Sequence, residues 1–586
     1  MRLLNVHTRQ LEEFIETRSL SYAILSHTWE KNEITFRDLL EPDHRKRPTY
    51  RKIEGCCQQA ICDELEYVWI DTCCIDKSSS AELSEAINSM FKWYMDSEKC
   101  YVYLADVPDG DDPFAADSAF RHSRWFTRGW TLQELIAPSD LTFYTDSWTK
   151  LFSKRFPDPN PAEKGALDLL ENIAGIPRWC LENPVAYKDY SIGERISWAS
   201  SRVTTREEDM AYCLLGIVQV NMPMLYGEGI KAFSRLQEEI LKSSDDHSLL
   251  AWGYGMPFQE IVDIEPHQLT PVFAPFPALF KGFHRELLDE KASWSFTSHS
   301  SMTNYGLLVE IPLLPIPGNA STFLGILMES TSYHYYIVLP LSRGANRDVY
   351  YRTPGCAPFK LTSDTYRSKR PPKPTKIYIQ EYPQKFIGVN KERMRIVLNY
   401  RELWNAGYII NGIFQDGFSI RQLYQCAGVL SISGLFTSGA VFLFSKPDDP
   451  HSSPFAMRIR FPKYLGEKRE PDGYQYQHKN SRITFVPASS GSALEYLESG
   501  LHTISWRAGL SHPLHFLKAL LHSGKQRWKH TGDAVFETSL RDDSTEHADR
   551  VTIEGDVVPK FETPFWRLHF MVKIHRRPQS EQEIVP

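Results

Sequence analysis

The first 150 residues alternate short apolar runs with segments of helical period. Tyr22-Ala23-Ile24-Leu25-Ser26, Tyr67-Val68-Trp69-Ile70-Asp71, Cys100-Tyr101-Val102-Tyr103-Leu104 and Leu141-Thr142-Phe143-Tyr144 are nearly unbroken apolar stretches. That is the pattern of strands covered on both faces. Between them, Cys56 to Leu65 predicts a helix. Ser84 to Ser97 predicts another, with Ile87, Met90, Phe91 and Tyr94 on one buried face. Gly129 to Ala137 predicts a short third helix, ended by Pro138. The βαβαβαβ order implies an α/β fold with a parallel sheet and right-handed crossovers. Such sheets bind ligands at the carboxyl ends of their strands. Ser26-His27-Thr28-Trp29 and Asp71-Thr72-Cys73-Cys74 are therefore the first places to look for a site.

The pattern then changes twice. Residues 151–252 read as helical. Thr204-Thr205-Arg206-Glu207-Glu208 offers two overlapping Thr-x-x-Glu capping boxes ahead of the apolar run Met210 to Ile217. After Gly229, Phe233, Leu236, Ile240 and Leu241 mark an amphipathic helix. From 253 onward, Pro and Gly punctuate short β-branched runs, including 376–380, 395–398, 457–461, 482–485 and 567–574. These predict a sandwich-like or barrel-like β-rich region. Leu423 to Phe444 carries no formal charge and is long enough to span a membrane. Its serines, threonines and glycines instead predict two strands, around 431–433 and 441–444, so no membrane span is expected.

Composition narrows the class without giving a function. The chain has 586 residues, 42% apolar and 24% charged, which excludes wholesale disorder. Its net charge of −7 argues against bulk binding of nucleic acid, and no nucleic-acid partner is expected. The basic run Arg367 to Lys376 reads as a solvated loop. Ten cysteines are too few for a disulfide scaffold, and Met1 to His7 holds no secretory apolar core, so a cytoplasmic location is expected. No P-loop, His-Glu-x-x-His, paired Cys-x-x-Cys or Gly-x-Ser-x-Gly motif occurs. Cys56-Cys57 and Cys73-Cys74 read as buried thiols rather than metal ligands.

The informative segment is Ser123 to Ala137. On a helix, Leu132, Leu135 and Ile136 share one face, and Trp130, Gln133 and Glu134 share another. An indole beside a carboxylate, with Arg124 and Arg128 upstream, suits a nucleotide-sugar ligand. The same residues also read as a core Trp130 with Glu134 paired to an arginine.

Residues 1–252 resemble the fungal heterokaryon-incompatibility (HET) domain family and its helical extension. The resemblance rests on Met1-Arg2-Leu3-Leu4, Tyr22 to Trp29, Trp69 to Lys77, Glu85 to Tyr94 and Arg128 to Leu135. Glu194 to Ala199, Thr204 to Leu215 and Met222 to Gly229 also fit. It implies non-self recognition leading to programmed cell death in filamentous fungi. It divides the chain into a HET domain over 1–150, a helical extension over 151–252 and a β-rich region of one or two domains over 253–586. The HET domain in turn resembles TIR domains, which implies a TIR/flavodoxin-like sheet. In catalytic TIR domains a glutamate on the helix after the third strand supports cleavage of NAD at the nicotinamide–ribose bond. Glu134 matches that glutamate, with NAD as substrate and no further cofactor. An ionised carboxylate is wanted there, so a strongly raised pKa would count against the role. Ser26, His27, Trp29, Asp71, Arg128 and Trp130 are the companion binding residues. His27 reads equally as a structural hydrogen-bonder, Asp71 as a turn cap, and Arg128 as an ion-pair partner. Self-assembly or a recognition protein is the expected partner, and a non-catalytic assembly module is the alternative function.

Overall fold

The computed structural model describes residues 1–15, 20–155, 164–255, 271–283 and, with shorter gaps, 300–381. From 394 onward it describes the backbone of strands. The chain forms two compact units. One comprises Met1–Pro257, Pro271–Glu310 and Leu327–Tyr333; the other comprises Phe258–Thr270, Ile311–Ile326 and His334–Pro586.

The first unit is built on a seven-stranded sheet. Its strands are β1 (Arg2–Asn5), β2 (Leu11–Glu13), β3 (Ala23–His27), β4 (Tyr67–Trp69), β5 (Lys99–Tyr103), β6 (Asp140–Tyr144) and β7 (Lys150–Arg155). They lie in the order β2-β1-β4-β3-β5-β6-β7. The four expected strands form the parallel core β4-β3-β5-β6. Every residue of the central strand β3 is buried, the apolar Ala23 to Leu25 and also the polar Ser26 and His27. The sheet is mixed rather than wholly parallel: β1, β2 and β7 add antiparallel edges. β1 and β2 are four and three residues long, and the edges β2 and β7 carry several charged residues, so their sequence carries little strand signal.

Three helices connect the parallel strands: α1 (Tyr50–Cys62), α2 (Ser80–Asp96) and α3 (Thr131–Ile136). β3 to β4 steps one way across the sheet, while β4 to β5 and β5 to β6 step back the other way. Right-handed crossovers therefore put α1 on one face and α2 and α3 on the opposite one. Ser79 caps α2 by accepting from the Glu82 amide, and the expected face Ile87, Met90, Phe91 and Tyr94 is buried. α3 departs from expectation. It has six residues, all of them buried, so Gln133 and Glu134 lie inside the protein rather than on an open face.

Among the described residues six α-helices follow β7: α4 (Lys164–Ala174), α5 (Arg178–Glu182), α6 (Ile192–Ser197), α7 (Asp209–Tyr212), α8 (Leu215–Val218) and α9 (Lys231–Ser243). α9 buries Phe233, Leu236, Ile240 and Leu241 as its spacing predicts. The capping boxes expected at Thr204 and Thr205 do not form. Glu208 precedes α7 without a side-chain cap, Thr204 donates to the Arg206 carbonyl, and Thr205 accepts from Arg128. The box that forms is Ser191 with Glu194, at the start of α6. α8 meets α2 through Gly216, where a Cβ would lie 2.1 Å from that of Phe91.

The second unit is rich in β-strands. One sheet runs Ile420–Cys426, Val429–Gly434, Met394–Asn399, Arg567–His575, Ala548–Val558, Val535–Arg541, Lys529–His530. A four-stranded antiparallel sheet runs Ile409–Gln415, Gly439–Ser445, Phe455–Arg460, Arg482–Pro487. Met394–Asn399 pairs in parallel with Arg567–His575, far away in sequence. The described residues of the uncharged window at 423–444 are strand, but Val429–Gly434 and Gly439–Ser445 belong to different sheets. Among the described residues no helix is long and apolar enough to cross a membrane. Residues 367–371 of the basic run lie outside the described residues, and residues 372–376 are exposed.

Candidate functional site

The carboxyl end of β3 is the centre of the site. β4 and β5 flank it, and the chain leaves β3 toward β4 but returns past it to β5. That reversal opens the crevice where ligands bind in open α/β sheets. Ser26 at this end accepts a hydrogen bond from the Trp125 indole at 2.8 Å and donates to the Glu134 carboxyl at 2.5 Å. Trp125 belongs to a 3-10 turn, Arg124–Thr127, that precedes α3, and it is fully buried. Ser26, Trp125 and Glu134 thus join three separated segments in one buried polar chain.

Glu134 is 7% exposed. Burial raises its pKa to about 8, and repulsion from Asp71 adds to the rise. The hydrogen bond from Ser26, attraction to Arg202 and the neighbouring Tyr94 hydroxyl oppose it. The carboxyl is therefore mostly protonated at pH 7 in this arrangement. This counts against the ionised glutamate that the resemblance calls for.

A second cluster stands beside the first. The Trp29 indole donates to Asp71 at 2.9 Å, and the Lys77 ammonium lies 3.5 Å from the centre of the Trp29 ring. Trp29 itself is 53% exposed, so an indole is presented at the rim. Asp71 does not close the turn after β4. The Ile70 carbonyl does, accepting from the amides of Cys73 and Cys74, while Asp71 faces Trp29, Lys77 and His27. Asp76 makes the next turn, accepting from the Ser78 amide and hydroxyl. Lys52 anchors the loop after β3, donating to the Thr28 carbonyl and pairing with Glu30 and Glu33. Cys56, Cys57, Cys73 and Cys74 are buried, as expected.

His27 is buried, yet neither ring nitrogen has a hydrogen-bond partner among the described residues. The nearest carboxylate oxygen, on Asp71, is 3.8 Å away. Burial lowers the pKa of the imidazole, with Asp71 opposing, so the ring is neutral at pH 7. A buried polar group without a partner costs about 1–3 kcal/mol. His27→Leu is therefore expected to leave Tm unchanged or raise it. Thermal unfolding checks this, and a fall of several degrees would show that the ring is held by the fold itself.

Two expected site residues lie elsewhere. Arg128 donates to the Thr205 hydroxyl at 3.0 Å, and Trp130 favours the ionised form of Asp209 at the start of α7. Both side chains engage the helical extension. Trp125, Tyr94, Lys77, Lys52 and Arg202 complete the site without having been foreseen. Trp125, five residues before Trp130, was visible as an aromatic but indistinguishable from core.

The heterokaryon incompatibility protein (HET) family matches residues 22–114. Vegetative incompatibility protein HET-E-1 of Podospora anserina is 46% identical over 229 residues, 38% of this chain. The chain carries a HET domain. The aligned part spans about 16% of that relative's length. A domain of unknown function (DUF8212) matches residues 231–272, which begin with α9. No solved structure matches the chain. The HET match holds Ser26, His27, Trp29 and Asp71 and stops short of Arg128, Trp130 and Glu134. The half of the site contributed by β3 and β4 thus lies within the matched segment.

Proposed function

We propose that this chain acts in heterokaryon incompatibility as a cytoplasmic cell-death effector, and that its HET domain is a TIR-like NAD glycohydrolase. The observation that carries this reading is the placement of Glu134. It sits on the helix after the third parallel strand and bonds Ser26 at the crevice where the strand order reverses. Counted along the parallel core, the order is second, first, third, fourth, as a doubly wound TIR/flavodoxin-like sheet requires. The family match and the relative's printed name support the incompatibility role.

In the proposed reaction the bond from ribose C1′ to the nicotinamide nitrogen breaks, and its electron pair leaves with nicotinamide. The oxygen of water bonds C1′ and sheds a proton, giving ADP-ribose. A carboxylate beside the ribose stabilises the positive charge that develops on the ring. Trp29 offers an exposed ring for stacking, and the unpartnered nitrogens of His27 suit ribose hydroxyls, which both donate and accept.

With its pKa at about 8, roughly a tenth of Glu134 is ionised at pH 7. Nicotinamide release is therefore expected to climb about tenfold between pH 7 and pH 9, and chromatography of the products checks this. A flat profile, or no release by protein that kills cells, would favour a non-catalytic assembly module. The protonated Glu134 is the observation on that side. Arg128 and Trp130, which such a module would use as interface anchors, already engage Thr205 and Asp209.

A further inference from the structure

One segment of the helical extension grips the start of α3. The Val203 amide donates to the Thr127 carbonyl at 2.7 Å, and the Gly129 amide returns a bond to the Val203 carbonyl at 2.9 Å. Next to it, Arg202 donates through Nη1 to the Arg128 carbonyl and to the Thr131 hydroxyl, both at 2.8 Å. Arg202 is 4% exposed, and its Nη2 has no hydrogen-bond partner among the described residues. It forms no ion pair among those residues either. Thr131 and Glu134 are three apart on α3 and therefore share a side of the helix. The guanidinium thus sits at the threonine one turn before the glutamate, with one amino group still free. A buried cation without a paired anion is costly, so the nearest acid matters to it.

We propose that Arg202 is a positioning residue for Glu134, supplying from the helical extension the buried positive charge against which this carboxyl ionises. The catalytic consequence rests on the NAD reading above; the electrostatic one does not. Several groups act on Glu134 from the elements packed around it. Ser26 on β3 donates to it, and the Tyr94 hydroxyl on α2, which donates to the Leu25 carbonyl, favours its ionised form. Asp71 after β4 repels it, and Cys100 on β5 lies in its field. Arg202 is the cation among them, and the attraction is mutual: each favours the charged form of the other. Removing the charge leaves burial and Asp71 opposed only by neutral hydroxyls. The arrangement also gives the extension a physical reason to accompany the sheet, because the sheet alone lacks this cation.

The test titrates Glu134 directly in the full chain. Glutamate labelled with carbon-13 at the side-chain carboxyl gives an infrared band for the protonated group, assigned by its loss in Glu134→Gln. The wild-type midpoint is expected near 8. Arg202→Met is expected to raise it by about one unit or more, and Arg202→Lys to hold it within about half a unit. Should Arg202→Met not fold, Arg202→Gln gives the same reading, since it keeps a donor for Arg128 and Thr131 without the charge. Nicotinamide release at pH 7 should fall about tenfold in the uncharged variants and recover on raising the pH. An unmoved midpoint in Arg202→Met or Arg202→Gln would overturn the proposal. So would an Arg202→Lys midpoint displaced as far as theirs. A shifted midpoint in a protein that releases no nicotinamide would sink the NAD reading and leave the role of Arg202 intact.

Discussion

Glu134→Gln is expected to cut nicotinamide release at least about a hundredfold while making the protein more stable at alkaline pH. The two effects share a cause. Burial holds the Glu134 carboxyl at about 8, against an ordinary value of 4.5. Between those values the folded protein binds more protons at this site than the unfolded chain does. Stability from this group is therefore fully present below about pH 4.5 and declines as pH rises through 8, staying low above it. Glutamine cannot ionise, keeps the shape, and still accepts from Ser26. The gain in Tm should be near zero at pH 4.5 and reach roughly 5 °C by pH 8. Paired thermal melts across that range check it. A variant that loses activity and stability together would mean that Glu134 holds the fold rather than the reaction.

Gly216→Ala is expected to be strongly destabilising. Its Cβ would stand 2.1 Å from that of Phe91, an atom fixed to the backbone of α2 rather than the end of a pliant side chain. α8 must then move off α2, at a cost of about 3 kcal/mol. Two alanine controls separate this from a general glycine effect. Gly193→Ala meets the ring of Phe283 at 2.7 Å, which can rotate away. Gly165→Ala meets nothing closer than 3.5 Å and should stay within about 1 kcal/mol of the native protein. Chemical denaturation of the three variants should rank Gly216→Ala last by a clear margin. Equal losses in all three would contradict the close packing of α2 and α8.

The parallel core was legible because buried strands need largely apolar runs, and 23–27, 67–69, 99–103 and 140–144 are built around them. The buried face of α2 was legible from its 3.6-residue period. The outer strands β1, β2 and β7 were not: β1 and β2 are only four and three residues long, and β2 and β7 are edges bonded along one side, where almost any sequence serves. The capping boxes at Thr204 and Thr205 met the local rule but not the tertiary one. Arg128 took the Thr205 hydroxyl and Glu208 turned to the amides of Gly227 and Gly229.

The site divides along the same line. Sequence alone brought Ser26, His27, Trp29 and Asp71 to the carboxyl ends of neighbouring strands, because strand order and crossover handedness leave few alternatives. It also singled out Glu134. Which indole would join that glutamate was settled only by packing. A six-residue helix buried on every side has no polar face, so Trp130 turned to Asp209 and Trp125 took the bond to Ser26. The charge state of Glu134 was likewise beyond the sequence. It depends on how much water the fold removes and on Asp71 and Arg202, which lie 63 residues before it and 68 after it in the chain. Periodicity fixes what a segment becomes; desolvation and long-range charge, which exist only once the chain has closed on itself, decide what its side chains can do.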